Sequence, residues 1–314
     1  MMEQQIDDEK HGDRHPDEPQ QRVTHSQPLS NSSALTRPVA RLFQCVRVWA
    51  ASLIALAALL SPAAAQDDGA KLKSLVMGSQ RSPANVARDA PRHPYEMLRF
   101  FGVKETMTVV EILPGGAGYW TEILAPYLRD RGVYYAAIGE KDSSEEMERS
   151  NAAFRAKMAA APALYGKVRV TEFGGDRHDI APPGSADMVV TFRNIHNWMA
   201  AGEADSAFAV FFKALKPGGV LGVEEHRGRN DRPQDPKAKS GYVRQDYAIK
   251  LAEKAGFKFV AASEINANPK DMKDYPQGVW TLPPTYRLGD KDRAKYEAIG
   301  ESDRFVLTFV KPTT

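Results

Sequence analysis

Cysteine is almost missing from this chain: Cys45 is the only one in 314 residues. A disulfide framework, a cysteine-built zinc site and a catalytic thiol beyond residue 65 are thereby excluded. An excess of either charge is also lacking. The 42 Lys and Arg against 40 Asp and Glu leave a formal +2, so nothing argues for a strongly basic nucleic-acid binder. There is no internal repeat, and His178, His196, Glu225 and His226 lack a local ligand spacing such as His-x-x-x-His, so no metal site is expected from them. No apolar run reaches the roughly 20 residues that a membrane span needs. What is present is a globular composition, 42% hydrophobic and 26% charged, with enough apolar residues for a full core.

The first 65 residues form a separate object. Residues 1–36 are polar, without apolar periodicity, and are expected to be a disordered extension. A start codon assigned too far upstream explains them equally well. Arg37, Arg41 and Arg47 then precede the apolar run Val48–Leu60, which Ser61-Pro62 breaks before Ala63-Ala64-Ala65. A basic stretch, a short apolar core and an A-x-A site together predict a signal peptide over 37–65, cleaved near Ala65, and a periplasmic location. An uncleaved anchor and a buried helix are the other readings of the run. Cys45 lies ahead of it, where a lipoprotein cysteine would not be, so neither lipidation nor stable membrane anchoring after cleavage is expected.

From residue 66 to 314 the pattern alternates. Strands are predicted at Thr108–Leu113, Val133–Ile138, Lys167–Phe173, Ala186–Phe192, Val220–Glu224, Phe257–Ile265 and Arg304–Val310. Helices are predicted at Arg92–Phe101, Tyr119–Arg131, Ser144–Ala161, Glu203–Leu215 and Arg244–Ala255, with Lys216-Pro217-Gly218-Gly219 as a turn. Such alternation implies one α/β domain with a seven-stranded, mainly parallel sheet and helices on both faces. The last two strands have no ordinary helix between them, which fits an antiparallel final strand. Residues 266–303 are irregular and are expected to be an excursion over the sheet edge or the site.

A glycine loop, Glu111-Ile112-Leu113-Pro114-Gly115-Gly116-Ala117-Gly118, closes the first strand. Glycines let a backbone turn tightly and approach a ligand, and the next helix aims its amides at the same space. Together with Gly175-Asp176-Arg177-His178-Asp179-Ile180, Asp187–Val190, Phe192–Trp198, Leu215–Gly219, Glu225-His226-Arg227 and Glu301–Phe305, all in order, the loop resembles the class I S-adenosylmethionine (SAM) methyltransferases, and most closely a bacterial exported group of predicted methyltransferases. The resemblance implies a Rossmann-like fold and SAM as co-substrate. It implies that Glu111, Pro114, Gly115, Gly116, Gly118 and Tyr119 border the methionine and ribose, and that Asp176, Asp179 and Ile180 border the adenine. It further implies Arg193 and Asn194 on the site side of the fourth strand. The family's ribose-binding acid closes the second strand; here Ile138-Gly139 precede Glu140, which takes that role one or two positions late.

Methyl transfer from a sulfonium needs alignment and sometimes a base. His196 and His226 follow two different strand ends, and Glu225 is placed to orient His226. These three are the expected catalytic residues. Trp198 and Tyr119 are candidates for an aromatic wall, and Arg88, Asp89 and Arg92 for a cap from the N-terminal side. The function these readings favour is a SAM-dependent methyltransferase acting on a small molecule. A methyltransferase-like periplasmic protein that binds without turnover is the alternative, motivated by export away from the cytoplasm where SAM is made. A nicotinamide-dependent dehydrogenase fits less well, because the loop is Gly-Gly-Ala-Gly and not the full G-x-G-x-x-G. The methyl acceptor and the oligomeric state are not legible.

Overall fold

The computed structural model describes residues 62–313 other than Asp176, and side chains from Gly69 onward. The signal-peptide run, the extension ahead of it and Asp176 lie outside the described residues. Among the described residues no helix is long and apolar enough to cross a membrane.

The elements follow in order: α1 (Pro62–Val76), α2 (Pro83–Val86), α3 (Pro94–Phe101), β1 (Thr108–Ile112), α4 (Thr121–Leu128), β2 (Val133–Gly139), α5 (Glu145–Ala160), α6 (Pro162–Tyr165) and β3 (Arg169–Phe173). Then come β4 (Ala186–Phe192), α7 (Ile195–Ala201), α8 (Ala204–Ala214), β5 (Leu215–His226), α9 (Gln245–Lys254), β6 (Lys258–Ser263), a 3-10 turn at Gly278–Thr281, α10 (Arg293–Ile299) and β7 (Arg304–Val310). The strand order is β3-β2-β1-β4-β5-β7-β6, with β7 antiparallel to both neighbours and the other pairs parallel. This is the Rossmann-like, seven-stranded, mainly parallel sheet that the alternation predicts, with the last strand antiparallel.

Alternation along the strands divides the core. In β1, Val110 and Ile112 face one layer, and Val109 faces the other. The first layer holds Trp198 of α7, Phe208 and Phe211 of α8 and Leu251 of α9; the second holds Met97 and Leu98 of α3, Ile123 and Leu124 of α4 and Phe154 of α5. Full burial of a Phe such as Phe208 or Phe211 contributes about 1.5–3 kcal/mol. Local chemistry sets the ends. Ser144 caps α5 by accepting from the Met147 amide at 3.1 Å, and Gly102 ends α3 in the left-handed region at φ 76°.

One boundary differs from expectation. Lys216–Gly219 does not stand between a helix and a strand as a separate turn; it lies inside β5 as an irregularity, so that Leu215 pairs with Ala186 and Val220 with Met188. The Gly218 amide donates to the Lys311 carbonyl at 2.8 Å and the Lys311 amide to that of Gly219 at 2.9 Å, so the residue after β7 holds the irregularity in place. The excursion 266–303 is also more ordered than its composition suggests, carrying the 3-10 turn and α10.

Candidate active site

Parallel strands β1, β2, β4 and β5 end on one side of the sheet, and two cavities open there. The first has a part of about 190 Å³ lined by Gly115, Asn151, Phe154 and Asn194, and a wider part of about 530 Å³ reached past Glu140, Gly174, Gly175 and Trp198. Leu113, Gly139, Met147, Ser150 and Asn197 line both parts, so they are continuous.

The glycine loop forms the floor of this cavity. The backbone turns through Leu113 at φ 51°, Gly115 at φ 70° and Gly118 at φ 56°. A Cβ on Gly115 would meet nothing within 4 Å, whereas one on Gly116 would come to 3.0 Å from Ala153 Cβ and 3.1 Å from the Ser150 carbonyl. Gly115 therefore leaves space at the cavity, and Gly116 lets the loop pass under α5. Across the cavity, Glu140 follows the end of β2. A Cβ on Gly175 would fall 2.2 Å from Glu140 Oε2, so the Gly174-Gly175 turn makes room for that carboxylate. The two ends of the floor are tied together: Asn194 Nδ2 donates to the Ile112 carbonyl at 3.2 Å, and Asn151 Nδ2 donates to that of Gly139 at 2.9 Å.

The second cavity, about 210 Å³, lies on the other side of the segment 193–198. Arg193 and His196 line it, while Asn194, Asn197 and Trp198 line the first. Arg88 and Arg92 enter from the N-terminal side, and Trp280 and Ser302 from the excursion 266–303. Arg193 is held at φ 62°, a conformation a non-glycine residue rarely adopts. Its amide donates to the Glu224 carbonyl at 2.7 Å and its Nη1 to Glu224 Oε2 at 3.1 Å, which hold the strained turn at the end of β4.

A buried carboxylate organises the histidines. Glu225 Oε1 accepts from the His226 amide at 2.8 Å and from His196 Nδ1 at 3.0 Å, and Oε2 accepts from the His196 amide at 3.2 Å. Because the carboxylate only accepts, His196 donates to it through Nδ1, which leaves Nε2 as the ring nitrogen not engaged by Glu225. His226 Nδ1 lies 2.6 Å from Ser302 Oγ. Burial first, then the neighbouring His196 ring and the cations Arg193, Arg304 and Arg92, hold His226 well below the usual histidine range, so it is neutral. Glu225 thus orients His196 more directly than its sequence neighbour His226. The three residues also place one ligand atom each within 4.8 Å of one another, a grouping that no local spacing in the sequence announces.

Several expected site residues lie elsewhere. Glu111 points into the second core layer, where Oε2 accepts from Thr121 Oγ1 at 3.2 Å and from the Tyr134 hydroxyl. Burial raises it to about 7 despite those bonds. Tyr119 is buried, donates to Asp89 Oδ1 at 2.5 Å and has the Arg92 guanidinium 4.5 Å from its ring centre, so it packs beneath the site. Pro114 and Gly118 shape the loop without lining the cavity. Asp179 is 91% exposed, 3.6 Å from Lys213, and Ile180 is buried in the first core layer. Asp176 is outside the described residues. Residues that sequence reasoning did not single out as site-forming include Met147, Ser150, Asn197 and Trp280. Met147 and Ser150 sit on α5 and Trp280 in the irregular excursion, where no motif marks them; Asn197 falls inside the stretch Phe192–Trp198 but is not among the site residues that the stretch implies.

No family model matches the chain, and no curated relative matches it. Among solved structures it is similar to a SAM-dependent methyltransferase from Aquifex aeolicus, at 18% identity over 78% of this chain and 98% of that one, with a TM-score of 0.48. It is also similar to the [4+2]-cyclase SpnF, at 16% identity over 80% of this chain and 96% of that one, with a TM-score of 0.49.

Proposed function

We propose that the domain is a SAM-dependent methyltransferase acting on a small molecule, exported to the periplasm by the segment 37–65. The observation that carries this reading is the pair of cavities separated by the turn 193–198. One is floored by a glycine loop at the strand ends, where doubly wound sheets bind their ligands. The other holds an oriented histidine. The first cavity fits SAM in its donor set: open backbone at Gly115, a carboxylate at Glu140 for ribose hydroxyls, and apolar surface at Leu113, Phe173 and Trp198 for a purine. When bound, SAM supplies a methyl group on an electrophilic sulfonium. Asn194 and Asn197 line the cavity from the turn between the two sites. In the second cavity His196 Nε2 is the atom that takes the proton from an acceptor, with Glu225 stabilising the imidazolium that results.

Titration calorimetry of the purified protein with S-adenosylhomocysteine tests the reading. Binding in the micromolar range is expected, and no binding at millimolar concentration overturns it. Binding of the cofactor product without methyl transfer to any acceptor would favour the periplasmic ligand-binding alternative.

A further inference from the structure

The second cavity is built around a charge that the chain itself does not neutralise. Arg92 is 1% exposed, yet its Nε and Nη2 have no hydrogen-bond partner. These two atoms form one edge of the guanidinium, the edge that grips an oxyanion through two parallel bonds. The nearest carboxylate is Glu301, whose Oε2 lies 3.5 Å from Arg92 Nε, too far for a good hydrogen bond. Glu301 is already committed: Oε1 accepts from Arg88 Nε at 2.9 Å and Oε2 from Arg304 Nη1 at 3.0 Å. Glu224 is committed likewise, to Arg193 at 3.1 Å and to Asn266 Nδ2 at 2.8 Å. Around the cavity Arg88, Arg92, Arg193 and Arg304 therefore face Glu224, Glu225 and Glu301, leaving one positive charge in excess at a buried place.

Leaving a buried donor unbonded costs about 1–3 kcal/mol, more for a charged group, and Arg92 is the residue with two such atoms among the described side chains, so a ligand that bonds both would recover the most. Burial and the charge of Arg193, opposed by Glu301, lower Arg92 to about 9, which leaves it cationic at neutral pH. The same positive field opposes a divalent cation at His196, Glu225 and His226, although their ligand atoms are close enough to hold one.

We propose that this cavity binds an oxyanion group of the methyl acceptor, a carboxylate or a phosphate, on the free edge of Arg92 with Arg88 and Arg193 supplying the surrounding charge. This rests on the methyltransferase reading for the word acceptor, and on the geometry of Arg92 for the oxyanion. With a volume of about 210 Å³, the cavity suits a small head group and not a polymer. The acceptor's nucleophilic atom then lies toward His196 Nε2 and the turn 193–198.

The test is the thermal unfolding midpoint of the full chain in sodium phosphate, sodium malonate and sodium chloride at equal ionic strength, without SAM. The expected result is a rise of several degrees in phosphate or malonate over chloride, saturating in the millimolar range, with the tighter of the two naming phosphate or carboxylate. R92Q is expected to weaken that binding at least tenfold. Because Arg92 is buried, R88Q serves beside it: Arg88 is partly exposed, its loss leaves Glu301 less neutralised, and a three- to tenfold weakening is expected. No oxyanion effect over chloride overturns the proposal, as does an effect that survives in both variants. Stabilisation by zinc chloride in place of the oxyanions also overturns it, in favour of a metal at the three ligands. S-adenosylhomocysteine binding, measured on the same samples, separates the two readings. If oxyanions bind and S-adenosylhomocysteine does not, the methyltransferase reading fails and the oxyanion site stands without an acceptor role.

Discussion

His196 Nδ1 donates to Glu225 Oε1 across 3.0 Å, linking the first turn of α7 to the end of β5. The two residues are 29 apart in sequence and lie on adjacent structural units, because β4 and β5 pair in parallel from Met188 with Val220 to Phe192 with Glu224. Parallel pairing brings both carboxyl ends to the same rim, so the residues that follow β4 meet those that end β5.

Replacing Glu225 by Gln should disturb this link. The carboxylate accepts three bonds on its two oxygens, whereas an amide has one acceptor oxygen and sets an NH2 donor against at least one of these N–H groups. A loss of about 1–3 kcal/mol of stability in urea denaturation is expected. Long-range nitrogen–proton spectra should show His196 as the Nδ1-protonated tautomer in the native protein, and a mixture of tautomers in E225Q. An unchanged tautomer would refute the orienting role.

His226 sets a pH dependence with a defined sign. Its folded-state affinity for protons lies well below that of an unfolded histidine, because of burial and the neighbouring cations. The unfolded chain takes up a proton near pH 6.5 and the folded chain does not, so this contribution to stability is full above 6.5 and is lost as pH falls. The native protein should lose about 1.4 kcal/mol per pH unit from this group below 6.5. H226Q should remove that slope, as read from urea midpoints between pH 7.5 and 5.

Glu111 gives the opposite sign. It ionises near 4.5 when unfolded and at about 7 when folded, so its contribution is full below 4.5 and is lost as pH rises through 7. Between pH 4.5 and 8 the stability of E111Q relative to the native protein should rise by up to about 3 kcal/mol. A constant difference across that range would mean that burial does not raise this carboxyl.

Asp179 and Glu140 separate what family resemblance implies from what this geometry implies. Asp179 is exposed beside Lys213, and Glu140 lines the first cavity. D179A is expected to leave S-adenosylhomocysteine affinity within twofold, and E140A to lower it about tenfold, the worth of one or two hydrogen bonds to a ligand. Calorimetry giving the reverse order would return the adenine site to Asp179.

Gly115 tests the floor of the cavity. Ala at φ 70° carries a strain of roughly 1 kcal/mol and meets no neighbouring atom. G115A should therefore fold with a slightly lower midpoint and yet bind S-adenosylhomocysteine at least tenfold more weakly. Equal affinity would place the ligand away from the loop.

Much of this protein is local, and local features are legible in a sequence. The β-branched run at Thr108–Ile112, the capping serine before α5 and the glycine after α3 each act on their own neighbours, so strands, helices and the glycine loop could be read in order. The alternation of strands with helices determined a mainly parallel sheet, since only crossover connections join parallel neighbours.

The site was legible only in part. His196, Glu225, His226, Glu140 and Asn194 could be named from their places after strands, but their partners could not. The choice of His196 as the histidine held through its ring by Glu225, the turning of Glu111 into the core, the exposure of Asp179 and the arrival of Trp280 and Ser302 over the second cavity were decided by the tertiary structure. So was the free edge of Arg92. The physical reason is that side-chain direction in a strand flips with each residue, and charge balance in a buried cavity sums over segments from residue 88 to residue 304. The sequence determined which chemical groups were available and on which elements; packing decided which of them face the same space.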